Sequence, residues 1–379
     1  MSKIEKQIRR LYLSTIAGNL SLTGAWVAIL AARGYSLAEI GLAETVFHIT
    51  SLTFEIPSGV FADLFGRKKM LILSSILRMI GNVIMILSGN LFMVCLSLAF
   101  YATSYNFASG SGDALAYDSL MLEQKETYYE KYASNQLIIY RFCGGLSTLC
   151  AGFALLIGHR AAYGADILMS VIQIGILSSL YEARVSDGKG STAAKVLDGV
   201  SGQTTRVTNS VKAALVECFL ESLSFMKREK KAVALMFVNS FVGAIDILLL
   251  FFLQAKLPSA GMPRWALGFA LFFMQMGGIL GAKIILKWKR LRYRNVFAIT
   301  AALVLFGVIV EHSGMYLIMM LGGFIAAFSD DALQVRTNTI LQDMFPSEQR
   351  ATLISMESFT FSVIMVVLSP LAGLFFSWW

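Results

Sequence analysis

Long apolar runs alternate with short polar connections along the whole chain. A helix needs about 20 mostly apolar residues to cross the ~30 Å hydrocarbon core of a bilayer. Eleven runs of that kind are predicted as helices, over 11–32, 38–62, 70–88, 91–117, 134–158, 162–182, 232–255, 265–286, 295–310, 315–335 and 351–375. The ninth is short, and the last stops at Trp378 and Trp379. The first follows Lys3, Lys6, Arg9 and Arg10 and reads as an uncleaved span, because it exceeds the roughly 7–15 apolar residues of a signal peptide. The pattern predicts an all-α polytopic membrane protein.

Composition agrees. Of 379 residues 56% are hydrophobic and 15% charged, with a mean hydropathy of +0.66. A soluble domain holds roughly 45–50% apolar and about 25% charged residues, so this chain lacks the polar surface to stay in water. A disordered chain, a disulfide-stapled secreted fold and a DNA-binding module are excluded by the same figures. The net charge of +8 changes the picture only through its placement. With the N-terminus in the cytoplasm and sides alternating, 25 of the 32 Lys and Arg fall in inside segments and four (Arg33, Arg160, Lys256, Arg264) outside. That is the bias of the positive-inside rule. It places the chain as a multi-pass protein of the cell membrane and removes nucleic acid as a partner. Cys95, Cys143, Cys150 and Cys218 show no metal or redox spacing, so no metal or cofactor is expected.

The polar segment 184–230 divides the spans six and five. Residues 186–210 are rich in Ser, Gly, Thr and Lys, as a flexible linker is. Val211, Leu215, Phe219, Leu220, Leu223 and Met226 then recur at helical spacing within 211–228, which predicts an amphipathic helix on the inner membrane surface. The expected organisation is a six-helix bundle over 1–183, a linker over 184–230 and a second bundle over 231–379. A repeat supports it. Ser111-Gly112-Asp113-Ala114-Leu115 near the end of span four matches Ser329-Asp330-Asp331-Ala332-Leu333 near the end of span ten. A weaker echo relates Gly59 and the basic run after it to Gly281 and Lys287-Trp288-Lys289-Arg290.

Span two ends in Glu55-Ile56-Pro57-Ser58-Gly59-Val60-Phe61-Ala62-Asp63-Leu64-Phe65-Gly66-Arg67-Lys68-Lys69. This resembles the signature of the major facilitator superfamily, a Gly, an Ala-Asp pair and Gly-Arg-Lys between spans two and three. The lead-in, Tyr117-Asp118-Ser119-Leu120 and Arg350-Ala351-Thr352 resemble a bacterial branch made mostly of drug and metabolite exporters. Glycines at 59 and 66 let helices and a tight turn approach closely. Asp63 can face the N-terminus of span eleven near Arg350, where a carboxylate gains about 0.3–1 kcal/mol from the helix dipole. Arg67 can pair with Asp118. The resemblance implies that Gly59, Asp63, Gly66, Arg67, Lys68, Asp118 and Arg350 form a latch that holds the outward-open state. Leu64 departs from the basic residue common in relatives. A Gly-Pro run in span five, found in antiporters, is not clear here.

Ionisable residues at bilayer depth cost several kcal/mol and are functional candidates by default. They are Glu44, His48, Glu55, Arg78, Asp113, Arg141, Asp246, Asp330, Asp331 and Glu357. In the resembled fold, spans one, four, seven and ten line the cavity. That puts Asp113, Asp246 and one of Asp330 and Asp331 on the substrate path; the repeat aligns Asp331 with Asp113 and favours it. Glu55 and Glu357 are further carboxylates of the proton and substrate pathway, and Arg141 is the expected counter-charge for Glu55 or Asp113. Asn19, Tyr105, Asn106 and Asn239 are expected as neutral cavity lining. Glu44 and His48 are expected near the outer surface, in solvent.

The resemblance implies a secondary transporter working by alternating access, as a monomer surrounded by lipid. The preferred function is export of a small amphipathic molecule in exchange for protons. Uptake by proton symport or uniport, or a non-transporting sensor on the same fold, are the alternatives. No nucleotide-binding motif or catalytic triad is present, so an enzyme is not expected. The superfamily has twelve spans. Here Leu374 to Trp379 give about 9 Å of helix, too little for a twelfth, so an outer C-terminus anchored by Trp378 and Trp379 is expected.

Overall fold

The computed structural model describes residues 3–182, 224, 227–288, 290–344 and 350–378, and among them the regular structure is helical throughout. The amphipathic segment expected over 211–228, Cys218 and Trp379 therefore lie outside or at the edge of the described residues. The first six spans supply α1 (Lys3–Asn19), α2 (Trp26–Ala32), α3 (Leu37–Phe65), α4 (Arg67–Leu87), α5 (Leu91–Ala108), α6 (Ser111–Met121), α7 (Tyr129–Leu149), α8 (Ala151–Ile157) and α9 (His159–Ser178). The last five supply α10 (Lys230–Ser259), α11 (Leu267–Ile285), α12 (Tyr293–Glu311), α13 (Tyr316–Met344) and α14 (Arg350–Ser377).

Helices thus stand at all eleven expected places. Among the described residues eight are long and apolar enough to cross a membrane, and α7 with α8, bent by 46°, makes up to nine. The other two expected spans depart for visible reasons. Span one is interrupted between Asn19 and Trp26, and α3 carries Glu39, Glu44, His48 and Glu55 along its length. Span four breaks where Gly110 adopts φ +69°, a conformation that costs glycine least. Gly66, at φ +104°, makes the tight turn from α3 to α4.

The chain forms two compact units: residues 1–21, 50–144 and 163–227, and residues 22–49, 145–162 and 228–379. In the first, α4 packs on α5 and α6, and α1 on α6. A cluster of Leu11, Leu71, Leu115, Ala116, Tyr132, Leu177 and Leu180 fills it. In the second, α13 lies between α11 and α12 and also meets α10, while α10 meets α14. Glycines set the closest approach. A Cβ at Gly277 would sit 2.2 Å from the Phe324 carbonyl oxygen, and one at Gly281 1.9 Å from that of Phe328. Small residues replace hydrophobic force as the basis of helix packing in lipid. The far ends of spans one, two and five join this unit in the same way. Trp26 meets Phe251 edge-on at 5.7 Å, a Cβ at Gly41 would meet the Ser369 carbonyl oxygen at 2.4 Å, and one at Gly152 the Arg264 carbonyl oxygen at 2.6 Å.

Candidate functional site

Three helices of the second unit bring their acids together. Asn239, Gly243 and Asp246 are spaced by four and three residues, so they share one face of α10. Asp246 is only 4% exposed, and its Oδ1 is buried without a hydrogen-bond partner among the described residues. Gly243 leaves room for the Asp330 carboxylate of α13: a Cβ there would lie 3.2 Å from Asp330 Oδ1. Asn239 Nδ2 donates to Glu357 Oε1 of α14 at 3.2 Å. Asp246 is within electrostatic reach of both Asp330 and Asp331. The two neighbours point apart, as adjacent helical residues ~100° apart must. Asp331 lies against α11, where a Cβ at Gly278 would come 2.1 Å from its Oδ2. The repeat favours Asp331 for the path, and packing sets Asp330 beside the Gly243 face of α10.

In the first unit the candidates are more dispersed. Glu55 is half-buried and Asp113 exposed, in the first turn of α6. Arg141 is exposed on α7 and forms no ion pair with Glu55 or Asp113; the expected counter-charge is not found there. Tyr105 is exposed within reach of Glu55 and Tyr140. Just ahead of span five, burial and then the Asp113 charge raise the Tyr129 phenol above its ordinary value. Asn106 is 1% exposed and bolts α5 to α3: it donates to the Ser51 carbonyl at 2.6 Å and accepts from Ser51 Oγ at 2.9 Å. Asn19 donates to the Thr15 carbonyl at 2.8 Å.

The turn after α3 is tied down by charge. Arg67 pairs with Asp118 and donates to the Ala114 carbonyl at 2.9 Å. Lys68 Nζ donates to the carbonyls of Ser178 at 2.8 Å and Leu180 at 2.6 Å, at the end of α9. Glu182 returns the contact and accepts the backbone N–H groups of Arg67 at 2.9 Å and Lys68 at 3.1 Å. Those are orphan donors of the α4 N-terminus, where a carboxylate is also favoured by the dipole. Among the described residues nothing lies within 4 Å of a Cβ at Gly59. The side chains of Asp63 and Arg350 lie outside the described residues.

Arg78, expected as an intramembrane candidate, is half-buried in α4 and donates to the Gly18 carbonyl and to Gln173 Oε1, and Gln173 Nε2 reaches the Ser14 carbonyl at 3.2 Å. Asp166 and Glu311 are not among the expected candidates. Asp166 accepts from Ser21 Oγ at 2.6 Å. At the far end of the second unit Glu311, 2% exposed, lies 3.6 Å from Lys256 Nζ and 3.2 Å from His312 Nδ1. Asp166 and Glu311 sit at the ends of their apolar runs, where hydropathy places a residue in the headgroups. Glu44 and His48 correct an expectation of solvation. They are 8% and 6% exposed and 3.2 Å apart. His48 also meets Ser362 Oγ at 3.4 Å and the Phe361 ring. Their neighbour is α14, which no local pattern could announce.

Paired apolar helices, buried intramembrane carboxylates and a charged turn after span two are the features of an integral multi-pass membrane protein. Residues 11–334 match the Major Facilitator Superfamily, and the chain belongs to it, as a transporter of the secondary kind and not an enzyme. A 43-residue stretch is 46% identical to the uncharacterized MFS-type transporter YxaM of Bacillus subtilis (strain 168), over 11% of each chain. Solved structures with a similar fold include a variant of the nucleoside transporter NupG, at TM-score 0.71 and 13% identity over 98% of this chain and 96% of that one. The xylose transporter XylE from E. coli, partially occluded and inward open, aligns at TM-score 0.62 and 12% identity over 100% and 97%. A POT family transporter in complex with 5-aminolevulinic acid aligns at 0.65 and 13% over 98% and 93%. At such identities the likeness is one of fold.

Proposed function

We propose that this chain exchanges protons for a small amphipathic molecule and exports it across the cell membrane, as a monomer with its N-terminus in the cytoplasm. The observation that carries the reading is Asp246, buried without a partner at Oδ1 beside the Asp330 carboxylate. A charge held at bilayer depth is expensive and rarely without purpose. A carboxyl group there has two protonation states of very different burial cost, so small changes in its surroundings can load or release a proton. Glu357, joined to the same face through Asn239, is a second station. Glu55 and Asp113 are the candidate acids of the first bundle. Bundles over 1–183 and 231–379, joined by the linker, move against each other, and the turn holding Gly66, Arg67, Lys68 and Asp118 latches one state.

Export rests on the likeness of the Glu55-to-Gly59 lead-in, Tyr117-Asp118-Ser119-Leu120 and Arg350-Ala351-Thr352 to a bacterial exporter branch. Uptake by symport is the second reading, favoured by the names of the similar structures, among them a D-xylose-proton symporter. Everted vesicles with an acid interior separate the two. An exporter of this kind accumulates an added compound from a screened panel while the pH difference collapses, and Asp246→Asn abolishes that. A symporter does not accumulate it. Accumulation unchanged in Asp246→Asn would remove the proton role.

A further inference from the structure

A cavity of about 170 Å³ opens in the second unit beside the acid cluster, between α10, α11 and the far ends of spans one and five. Its wall includes Gly24, Thr148, Phe251, Gln254, Met274 and Gln275. Ile247, the residue after Asp246, also lines it. None of the described lining residues is ionisable. Gln254 is 7% exposed, and its Oε1 is buried with no hydrogen-bond partner among the described residues. Gln275 is held by Thr148, donating to its hydroxyl at 3.1 Å. An unmet amide acceptor inside an apolar wall costs about 1–3 kcal/mol; sites that bind small molecules accept such costs, holding a few polar groups in a mostly apolar pocket.

We infer that this cavity is a cargo subsite for a neutral, single-ring amphipathic molecule that presents a hydrogen-bond donor to Gln254 and its ring to Phe251 and Met274. Size sets the ring number, since a cavity of ~150 Å³ takes up benzene. The lack of ionisable lining sets the charge, because an ion would enter without a counter-charge. Gln254 sets the polar edge. The inference rests on the transport reading only in calling the ligand cargo.

The test compares four isosteres on the purified full chain in nanodiscs by fluorine NMR, with empty nanodiscs as background. The probes are 4-fluorobenzamide, 4-fluorobenzoate, 4-fluorobenzylammonium and 4-fluorotoluene. Saturable binding is expected for 4-fluorobenzamide ahead of the other three, and Gln254→Met should weaken it about tenfold. Met matches Gln in shape, and the ranking on the unaltered chain stands even if that variant fails to fold. A charged isostere binding as tightly, no saturable benzamide binding, or unchanged binding in a folded Gln254→Met chain overturns the inference. The measurement uses no gradient. Intact benzamide binding with proton-independent transport would sink the coupling reading alone, and proton-driven transport without benzamide binding would sink the subsite alone.

Discussion

Two neighbouring glycines of α11 should respond to the same added methyl in opposite ways. In Gly281→Ala the new Cβ falls 1.9 Å from the Phe328 carbonyl oxygen, 2.7 Å from its carbon and 3.0 Å from its Cα. An ordinary C···O contact begins near ~3.3 Å, so the methyl is about 1.4 Å too close to backbone. Backbone cannot swing aside, and α11 must lift off α13. A gap of about 1 Å forfeits a quarter to a half of each contact along the seam. The cost belongs at the upper end for overpacked cores, about 3 kcal/mol. In Gly278→Ala the Cβ meets Asp331 Oδ2 at 2.1 Å and the next backbone atom, the Ala327 carbonyl oxygen, only at 3.6 Å. A carboxylate can rotate away for about 1 kcal/mol, the cost of an off-rotamer side chain. Thermal melting of the purified chains, followed by size-exclusion chromatography, should show Gly281→Ala lowered by roughly 5 °C or more. Gly278→Ala should melt within roughly 2 °C of the parent but lose transport if Asp331 serves the path. Gly59→Ala, at the position related to Gly281 by the repeat, should not lower the melting point, since its Cβ meets nothing within 4 Å among the described residues. Equal melting of Gly281→Ala and the parent would refute the close approach of α11 and α13. Equal loss in Gly278→Ala would show that backbone, not the carboxylate, fills that space.

Other outcomes follow from the same geometry. Glu182→Ala removes the acceptor for the first two N–H groups of α4 and should cost about 1 kcal/mol, as loss of a helix cap does; a charge-neutral Gln that restores the melting point would show that hydrogen bonding outweighs the dipole. Arg78→Met leaves Gln173 and the Gly18 carbonyl without their buried donor and should destabilise by about 1–3 kcal/mol; a melting point equal to the parent's would argue against the network. Asp63→Asn should impair transport in a chain that inserts normally, and normal flux would dismiss the latch. Glu357→Gln keeps an acceptor for Asn239, so it should preserve melting while slowing gradient-driven flux; loss of folding instead would make Glu357 a structural acid.

The string of long apolar helices was legible because a bilayer demands such runs, and hydropathy records that demand residue by residue; the breaks in spans one, four and five were not. The charged turn at Gly66-Arg67-Lys68 was legible for a similar reason: a tight turn needs glycine, and an inner loop keeps its lysines and arginines. Intramembrane acids such as Asp246 stand out because few residues of their kind belong at that depth. What the sequence could not state is which side chains meet. Asp330 and Asp331 are adjacent letters, yet Gly243 admits one carboxylate to α10 and Gly278 the other to α11. Glu44 and His48 read as surface residues until α14 covers them with Ser362 and Phe361. Arg141 looked like a partner for Glu55 and stands apart from it. Gln254 carried no signal at all, since a lone glutamine in an apolar helix gains meaning only when α2, α7 and α11 enclose it beside an unfilled space. Hydropathy is a property of one chain segment and its solvent. A buried contact between helices is a property of two or three segments, fixed by where glycines allow close approach, and it exists only once the helices have been packed.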